Sequence, residues 1–299
     1  KLLNRINAAN HSIDLALYSL SGNVGSSIAS ALIAANGRGV KVRMIVEYDN
    51  STTVPMTTMK NSGIPFITDR FDAANGGSGL MHNKFGIFDY RDKSSASDDW
   101  VWSGSWNATD PGNNNDAQNV IEIQDQALAN AYTIEFNEMW GSSTDAPVAS
   151  TSRFGIRKAN NTPHRFLING TPIELYFSPS DRTTSHIYDA LSKAATSINI
   201  ALLTFTRDDL AQLLISKKAA GDKVRVLLDN NTDTGSQFAA MQAGGIDIFL
   251  KPNSLGGLLH HKYAVIDANN PNIDNVVVTG SHNWSGSAEN TNSENTLII

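Results

Sequence analysis

Cysteine is absent from the 299 residues, so the chain holds no disulfide, no thiolate metal site and no cysteine nucleophile. Charged residues make up 17% of the chain, below the usual ~25% of soluble proteins, and Asn, Ser and Thr fill the deficit. No apolar run approaches the ~20 residues of a membrane-spanning helix, which leaves a peripheral membrane contact open. Lys and Arg number 23 against 29 Asp and Glu, so an anionic substrate has to be held by local cations.

What the sequence does contain is an internal repeat. The length suggests about two domains, and the apolar strands Ser12–Ser19 and Lys41–Glu47 are answered by Ser197–Thr204 and Lys223–Asp229. The predicted helices are Leu2–Ala9, Val24–Ala35, Gln126–Trp140, Ser185–Ala195 and Leu210–Ala219. Strands that alternate with helices predict an α/β fold. The predicted domains are 1–145 and 171–299, with a polar linker over 146–170.

The second half has a strand, Ile173–Phe177, before its first helix, whereas the first half begins inside that helix. We therefore expect the chain to be trimmed at both ends.

The repeat includes two copies of the polar pattern H-x-K-x4-D. The residues are His82, Lys84 and Asp89 in the first half and His260, Lys262 and Asp267 in the second. Alternate residues of a strand share a face, so the His and Lys of each copy are expected to face one pocket. One copy is expected by chance in about one chain in fifty, but two copies at equivalent places indicate a function.

A second paired pattern, G-S-x-N, follows each copy at a matching distance. Its polar residues are Ser105, Asn107, Ser281 and Asn283. At these motifs the sequence resembles the phospholipase D superfamily. The resemblance implies two repeated domains, each a mixed sheet flanked by helices, related by a pseudo-twofold axis with one active site at their junction. It implies a monomer that hydrolyses or transfers phosphodiesters through a covalent phosphohistidine, without a metal or another cofactor.

The residues suit that chemistry. A phosphodiester is negatively charged, so Lys84 and Lys262 are expected to neutralise it, with the Ser and Asn side chains of G-S-x-N as neutral donors. One His has to be neutral to attack phosphorus and the other protonated to release the leaving oxygen, and imidazole serves either task. Asp89 and Asp267 complete the catalytic signature and are interpreted as structural supports.

The two halves differ at one position after G-S-x-N, where the second offers Glu294 and the first Gln118. In two-domain members of the superfamily, an acid there orients the His of the opposite half. By that analogy Glu294 supports His82, which makes His82 the nucleophile and His260 the general acid. The reverse assignment stays open.

The substrate is less determined. The stretches Gly280–Ser285 and Asn292–Asn295 resemble the bacterial and Zucchini-type endonuclease branch, so cleavage of single-stranded nucleic acid is the first hypothesis. The alternative is a phospholipase D, with an apolar lip made by Leu255, Leu258 and Leu259. A non-catalytic phosphate-binding scaffold is the third, and the two complete motifs argue against it. Glycosylation sequons at Asn107 and Asn283, inside the predicted site, favour a bacterial source, either cytoplasmic or exported.

Overall fold

The structure is a computed structural model that describes residues 1–92, 94–268 and 275–299. The first half contains α1 (Leu2–Ala8), β1 (Ser12–Leu17), α2 (Gly22–Gly37), β2 (Lys41–Val46), α3 (Val54–Asn61), β3 (Phe66–Thr68), β4 (Lys84–Phe88), β5 (Trp100–Gly104), α4 (Asp110–Asn114), β6 (Val120–Gln124) and α5 (Gln126–Trp140). The second half contains β7 (Arg165–Ile168), β8 (Thr171–Ser178), α6 (Thr183–Ser192), β9 (Ser197–Leu202), α7 (Asp208–Ala219), β10 (Lys223–Leu228), α8 (Phe238–Ala243), β11 (Asp247–Leu250), β12 (Lys262–Ile266), β13 (Val276–Gly280), α9 (Gly286–Asn290) and β14 (Glu294–Ile298).

Two mixed sheets repeat one strand order. The first runs β3-β2-β1-β4-β5-β6, and the second runs β11-β10-β9-β12-β13-β14 with β8 and β7 added beyond β14. In each sheet, three parallel strands meet an antiparallel strand, β4 or β12, that begins at the lysine of the H-x-K motif. The predicted α/β class, with two repeated mixed sheets flanked by helices, is confirmed.

Helix α5 shows how local sequence sets the bounds of an element. The Asp125 side chain accepts a hydrogen bond from the Leu128 N–H at the first turn, and Gly141 ends the helix with a left-handed φ of 82°. An acidic cap at the start and a glycine at the end satisfy backbone groups that the helix leaves unpaired. The observed bounds are those predicted from the sequence.

The same helix joins the cores of the two halves. Tyr132 of α5 packs edge-to-face on Phe85 of β4 and on Phe177 of β8, with ring centroids 5.0 and 5.3 Å apart. All three rings are fully buried in one cluster that draws apolar residues from both halves. Each such aromatic pair contributes about 0.5–1.5 kcal/mol beyond its buried area. The halves therefore share a hydrophobic core in addition to the connecting chain.

One strand lies where the sequence predicted linker. Residues 165–168 form β7, which pairs with β8 in a hairpin turned by Asn169 and Gly170, both with positive φ. Phe166 and Ile168 pack against the shared core, which explains why this part of 146–170 is regular structure. Residues 165–168 of the predicted linker are thus part of the second sheet. Across the described residues, no helix has the length and apolar character needed to cross a bilayer.

Candidate active site

Both H-x-K segments begin where the parallel strands end. Lys84 pairs with Leu17, the last residue of β1, and Lys262 pairs with Leu202, the last residue of β9. The carboxyl ends of parallel strands are the usual location of binding sites in α/β sheets. The fold thus places the two motifs at equivalent edges.

Each histidine is held by the backbone of the opposite half. The N–H of His82 donates to the Ser293 carbonyl at 3.0 Å, and the N–H of His260 donates to the Ala117 carbonyl at 2.8 Å. Short bridges at Met81 and Ser293, and at Ala117 and Leu259, accompany these bonds. The two histidines therefore lie on either side of the junction between the halves.

The His82 ring is oriented by a carboxylate from the second half. Its Nδ1 lies 2.9 and 2.8 Å from the two carboxylate oxygens of Glu294, the pairing that the sequence analysis expects. An ionised carboxylate only accepts, so Nδ1 carries the proton and Nε2 keeps its lone pair. Glu294 is fully buried and also accepts from Ser281 Oγ at 2.7 Å.

The environment keeps this pair as a neutral ring and a charged carboxylate. Burial lowers the pKa of His82 to about 4, although Glu294 acts in the opposite direction. Burial would raise the pKa of Glu294, but the His82 ring and the Lys84 ammonium outweigh it and hold that pKa below its usual range. Near pH 7 the Nε2 lone pair of His82 is therefore available to an electrophile.

The His260 ring has a different support. Its Nδ1 donates to the Ser105 carbonyl of the first half at 3.0 Å, so here too Nε2 is free. Burial and the ammonium groups of Lys262 and Lys84 lower the pKa of His260 well below its usual range. Gln118, which corresponds to Glu294 in the repeat, turns away from His260. Its amide donates to the Gly112 carbonyl at 2.7 Å.

Two buried ammonium groups form the cationic part of the site. Nζ of Lys84 donates to the carbonyl of His82 at 2.7 Å, and Nζ of Lys262 donates to the carbonyl of His260 at 2.9 Å. Burial lowers the pKa of Lys84 to about 7, while burial and the Lys84 charge lower the pKa of Lys262. A buried place where two cations repel each other stabilises an anion bound between them.

The serines of G-S-x-N have contacts other than those expected. Ser281 Oγ donates to Glu294, and Ser105 Oγ lies 3.3 Å from Oδ1 of Asn119, with both serines fully buried. In these contacts the Ser281 hydroxyl donates to a protein group, while the 3.3 Å contact of Ser105 is longer than a usual O–H···O bond. That Ser105 and Ser281 bind a phosphate stays a prediction.

The asparagines of the same pattern are less engaged. Oδ1 of Asn107 and Oδ1 of Asn283 are buried and have no hydrogen-bond partner in the part of the chain that the structure describes. A buried amide oxygen without a partner is unusual. That Asn107 and Asn283 bind a phosphate stays a prediction.

The motif aspartates lie at the far ends of β4 and β12 from the lysines. Asp89 accepts the N–H groups of residues 10, 11 and 12 at 2.9, 2.7 and 3.1 Å, and Asp267 those of residues 195, 196 and 197 at 2.9, 2.7 and 3.0 Å. At about 3.3 Å per strand residue, each carboxylate is some 15 Å along the strand from its lysine. The geometry agrees with structural support and separates both groups from the His–Lys pocket.

Sequence reasoning missed three residues of the site. The Tyr18 ring lies 4.9 Å from the His82 ring and 4.8 Å from Lys84 Nζ. Glu47 and Asp229 accept backbone N–H groups directly before the two histidines. A usable signal existed, since Glu47 and Asp229 stand opposite each other in the repeat and both follow an apolar strand.

Amide side chains span the junction beside the site. Asn295 accepts from Ser103 Oγ at 2.6 Å and donates to Oδ1 of Asn83 at 3.1 Å, and all three residues are fully buried. On the other side, Asn119 donates to Thr279 Oγ1 at 2.7 Å and lies 3.0 Å from Nδ1 of His261. These contacts join the two halves on both sides of the histidines.

Metal ligands do not coincide with this pocket. In residues 1–92, 94–268 and 275–299, the one group of three or more acids and imidazoles near enough to share an ion is His11, Asp92 and Asp98. They lie beside Asp89, at the other end of β4 from Lys84. In the pocket itself, the two lysines would repel a cation.

Comparison with known proteins gives a consistent result. The family described as cardiolipin synthase, PLD-like domain, matches residues 2–140 and 187–299. The mitochondrial cardiolipin hydrolase of Xenopus tropicalis is 33% identical over 121 residues, which are 40% of this chain and 54% of that protein. A phospholipase D of Rickettsia conorii is 29% identical over 134 residues, 44% of this chain and 63% of that protein. The chain thus spans about half the length of the curated relatives it matches.

A solved structure shares the whole architecture. The phosphatidylserine synthase of Haemophilus influenzae superposes on 100% of this chain and 79% of its own, with a TM-score of 0.66 and 13% sequence identity. At that identity the likeness concerns the fold.

Proposed function

Because the chain belongs to the phospholipase D superfamily, we propose that it is a phosphodiesterase that acts through a phosphohistidine on His82. The observation that carries the proposal is the buried contact between Glu294 and Nδ1 of His82. It fixes the tautomer that leaves Nε2 unprotonated, and it stabilises the positive charge that the ring acquires on attack.

The proposed reaction has two steps, and His260 transfers the proton in both. Nε2 of His82 attacks phosphorus and the bond to the leaving oxygen breaks, while a proton on Nε2 of His260 moves to that oxygen. His260 then takes a proton from water as the water oxygen attacks phosphorus, and the bond to His82 breaks. The ammonium groups of Lys84 and Lys262 neutralise the non-bridging oxygens in both steps.

The general acid becomes protonated when substrate binds. In the free site, burial and the two ammonium groups lower the pKa of His260. An anionic phosphodiester between the lysines cancels part of their charge, which raises that pKa. The substrate thereby prepares His260 for its role, whereas His82 faces Glu294 in either state.

The mouth of the pocket favours a phospholipid as the substrate. Exposure falls from 38% at Leu80 to 7% at His82 and 0% at Lys84, and from 44% at Leu258 to 5% at His260 and 2% at Lys262. Each half therefore presents an exposed leucine above a histidine and a buried lysine. Leu255, with 71% exposure, adds to this surface, but Leu259 is buried and the predicted lip is wrong for it.

Charge at the mouth supports the same choice. The carboxylates of Asp116 and Asp229 bond to the backbone of Leu258 and Leu259, beside the entrance. With a net charge of −6, such a surface disfavours a long polyanion more than a lipid with a single phosphodiester.

Single-stranded nucleic acid is the second candidate. The Arg70 guanidinium lies 3.5 Å from the centroid of the Tyr48 ring, and Tyr48 is 41% exposed and next to Glu47 of the site. Exposed pairs of an arginine and an aromatic ring are suited to stack on bases. This observation supports the nuclease hypothesis of the sequence analysis.

A paired assay in EDTA tests the proposal. The protein is incubated with phosphatidylcholine or cardiolipin vesicles, with single-stranded DNA or RNA, and with soluble bis(p-nitrophenyl) phosphate. We expect metal-independent hydrolysis of lipid that is lost in His82→Ala and in His260→Ala. Leu80→Ser and Leu258→Ser should lower lipid hydrolysis and leave the soluble diester unaffected. Cleavage of nucleic acid with lipid untouched would assign the second candidate, and activity that needs a divalent ion would refute the mechanism.

A further inference from the structure

Two carboxylates occupy equivalent places behind the histidines. Glu47 follows β2, and its Oε2 accepts the N–H of Met81 at 2.6 Å. Asp229 follows β10, and its Oδ1 accepts the N–H of Leu259 at 2.7 Å. Met81 and Leu259 immediately precede His82 and His260. The same contact thus occurs in both halves, with acids of different length.

These carboxylates complete the fixation of each histidine segment. The carbonyl of Leu80 and the N–H of His82 bond to Ser293 of the opposite half. The N–H between them, on Met81, points the other way because backbone groups alternate along an extended segment, and it reaches Glu47. The segment is held from both sides, by the other half and by an acid of its own half.

The second half repeats the arrangement. The carbonyl of Leu258 and the N–H of His260 bond to Ala117, while the N–H of Leu259 reaches Asp229. Removing either acid would leave a backbone N–H without its partner and free the segment to rotate about the junction bonds.

The acids also act on the lysines through charge. Glu47 and Glu294 both oppose the effect of burial on the pKa of Lys84, and Asp229 does so for Lys262 together with Glu294 and Asp116. Other groups near Lys84 are the Tyr18 ring, the His82 carbonyl, the Lys262 ammonium and the rings of His82 and His260. Glu47 is therefore one of two carboxylates that favour a charged Lys84.

We propose that Glu47 and Asp229 are positioning residues for the two histidines, each fixing the backbone before its histidine and favouring the protonated form of the neighbouring lysine. The inference rests on the proposed phosphodiesterase function. Neither acid touches the reacting atoms. Their effect on the reaction passes through His82 and Lys84 in one half and through His260 and Lys262 in the other.

Glu47→Gln separates the two effects, because the amide oxygen still accepts from Met81 while the charge is lost. With bis(p-nitrophenyl) phosphate as substrate, we expect the alkaline limb of kcat/KM to move about one pH unit lower, as Lys84 loses its proton more easily. Glu47→Ala should in addition lower kcat about 100-fold through misplacement of His82. In the second half, Asp229→Asn should have the same effect as Glu47→Gln. Asp229→Ala should have the same effect as Glu47→Ala.

The raised pKa of Glu47 allows a second test, in which the variant and the wild type are compared at two pH values. Burial and the charge of Asp69 raise it to about 7, so Glu47 is ionised at pH 8 and largely neutral at pH 6. Glu47→Gln should therefore fall well below the wild type at pH 8 and differ from it much less at pH 6. A change that only weakened the fold would act at both pH values and would appear in the melting temperature.

The matched control is Asp49→Asn, which removes the same charge from an exposed residue of the same loop. It should retain the wild-type alkaline limb. The proposal is wrong if Glu47→Gln and Asp229→Asn keep that limb as well, or if folded alanine variants keep the wild-type kcat. Should the alanine variants not fold, the Gln and Asn variants decide alone.

Tungstate binding keeps this inference distinct from the proposed function. Tungstate is a phosphate-like anion, and its affinity reports the charge of the lysines without any turnover. Glu47→Gln should weaken tungstate binding at pH 8 and affect it much less at pH 6. An enzyme that hydrolyses no phosphodiester but shows this difference would refute the proposed function and support the charge effect. The absence of this difference in an active enzyme would refute the charge effect alone.

Discussion

Glu294 and His82 form a buried pair although 212 residues separate them in the chain. Glu294 is the first residue of β14, and His82 lies two residues before the start of β4. The corresponding place beside His260 holds the Ser105 carbonyl. A full negative charge supports one ring and a neutral dipole the other, so the two histidines are not equivalent.

This asymmetry predicts unequal effects at Glu294 and Gln118. Glu294→Gln removes the charge that stabilises the attacking ring and should lower kcat by about two orders of magnitude or more. Gln118→Ala should have little effect, because Gln118 contacts a loop and not His260. The kcat values of both variants on a soluble diester check this. Equal losses would show that the carboxylate has no special role.

The identity of the nucleophile can be tested with leaving groups of different pKa. His260→Ala should slow the release of poor leaving groups more than that of p-nitrophenolate, which needs little protonation, and His82→Ala should harm both equally. Quenching without acid, followed by peptide mapping, should locate the phosphoryl group on His82. A label on His260 would reverse the roles, and no label on either would refute the covalent mechanism.

Anion binding should be coupled to proton uptake. Burial lowers the pKa of Lys84 to about 7, so at pH 8 this lysine is mostly neutral in the free site. A bound tungstate raises that pKa and the pKa of His260, so at least about one proton should enter with the anion. Calorimetry in buffers of different ionisation enthalpy measures the number. Lys84→Met should take up fewer protons, whereas a wild-type enthalpy independent of buffer would contradict the prediction.

Asp267→Asn should affect stability and leave the chemistry nearly intact. Burial opposes ionisation of Asp267, but the N–H groups of Ala195, Ser197 and Thr196 outweigh it and lower the pKa. Stability from a lowered carboxylate pKa is present above the ordinary Asp pKa and is lost as the pH falls through the folded value. The variant should therefore lose about 1.5–3 kcal/mol at pH 7 and less in acid.

Thermal melts of the wild type and Asp267→Asn from pH 7 to pH 3 measure this convergence. Asp89→Asn is the companion variant in the first half, where three N–H groups bond to the carboxylate. A loss of kcat without a loss of melting temperature in either variant would assign the motif aspartates a direct role in the reaction.

The sequence was sufficient for the parts of the site that depend on short spacing. His82 and Lys84 are two residues apart where the chain enters β4 at Lys84, so their common direction was expected from the alternation of an extended segment. The pairing of Glu294 with His82 was expected from the resemblance to two-domain members of the superfamily, in which an acid at this position orients the His of the opposite half. The role of Ser281 could not be derived, because its hydroxyl is engaged by a carboxylate 13 residues away whose direction depends on the opposite half.

Other features were hidden for a similar reason. The Gln118 amide bonds to the Gly112 carbonyl and not to His260. Both surroundings are polar, so the sequence alone does not indicate which of them the side chain contacts. The segment that forms β7 is flanked by polar residues, which is why it was predicted as part of the linker. It forms a strand that packs against the shared core, and this contact is not visible in the sequence. Glu47 acts on a backbone N–H 34 residues away, and its alignment with Asp229 in the repeat does not show which group either acid contacts.

The buried amides at the junction have a consequence for the alignment of the two halves. Asn295 bonds as an acceptor to Ser103 and as a donor to Asn83, so a slip of one half past the other would strand a donor or an acceptor in a dry interior. A purely apolar interface tolerates small slides, whereas a polar one has a single satisfied register. The distance between the two histidines is thereby fixed by amide groups that take no part in the reaction.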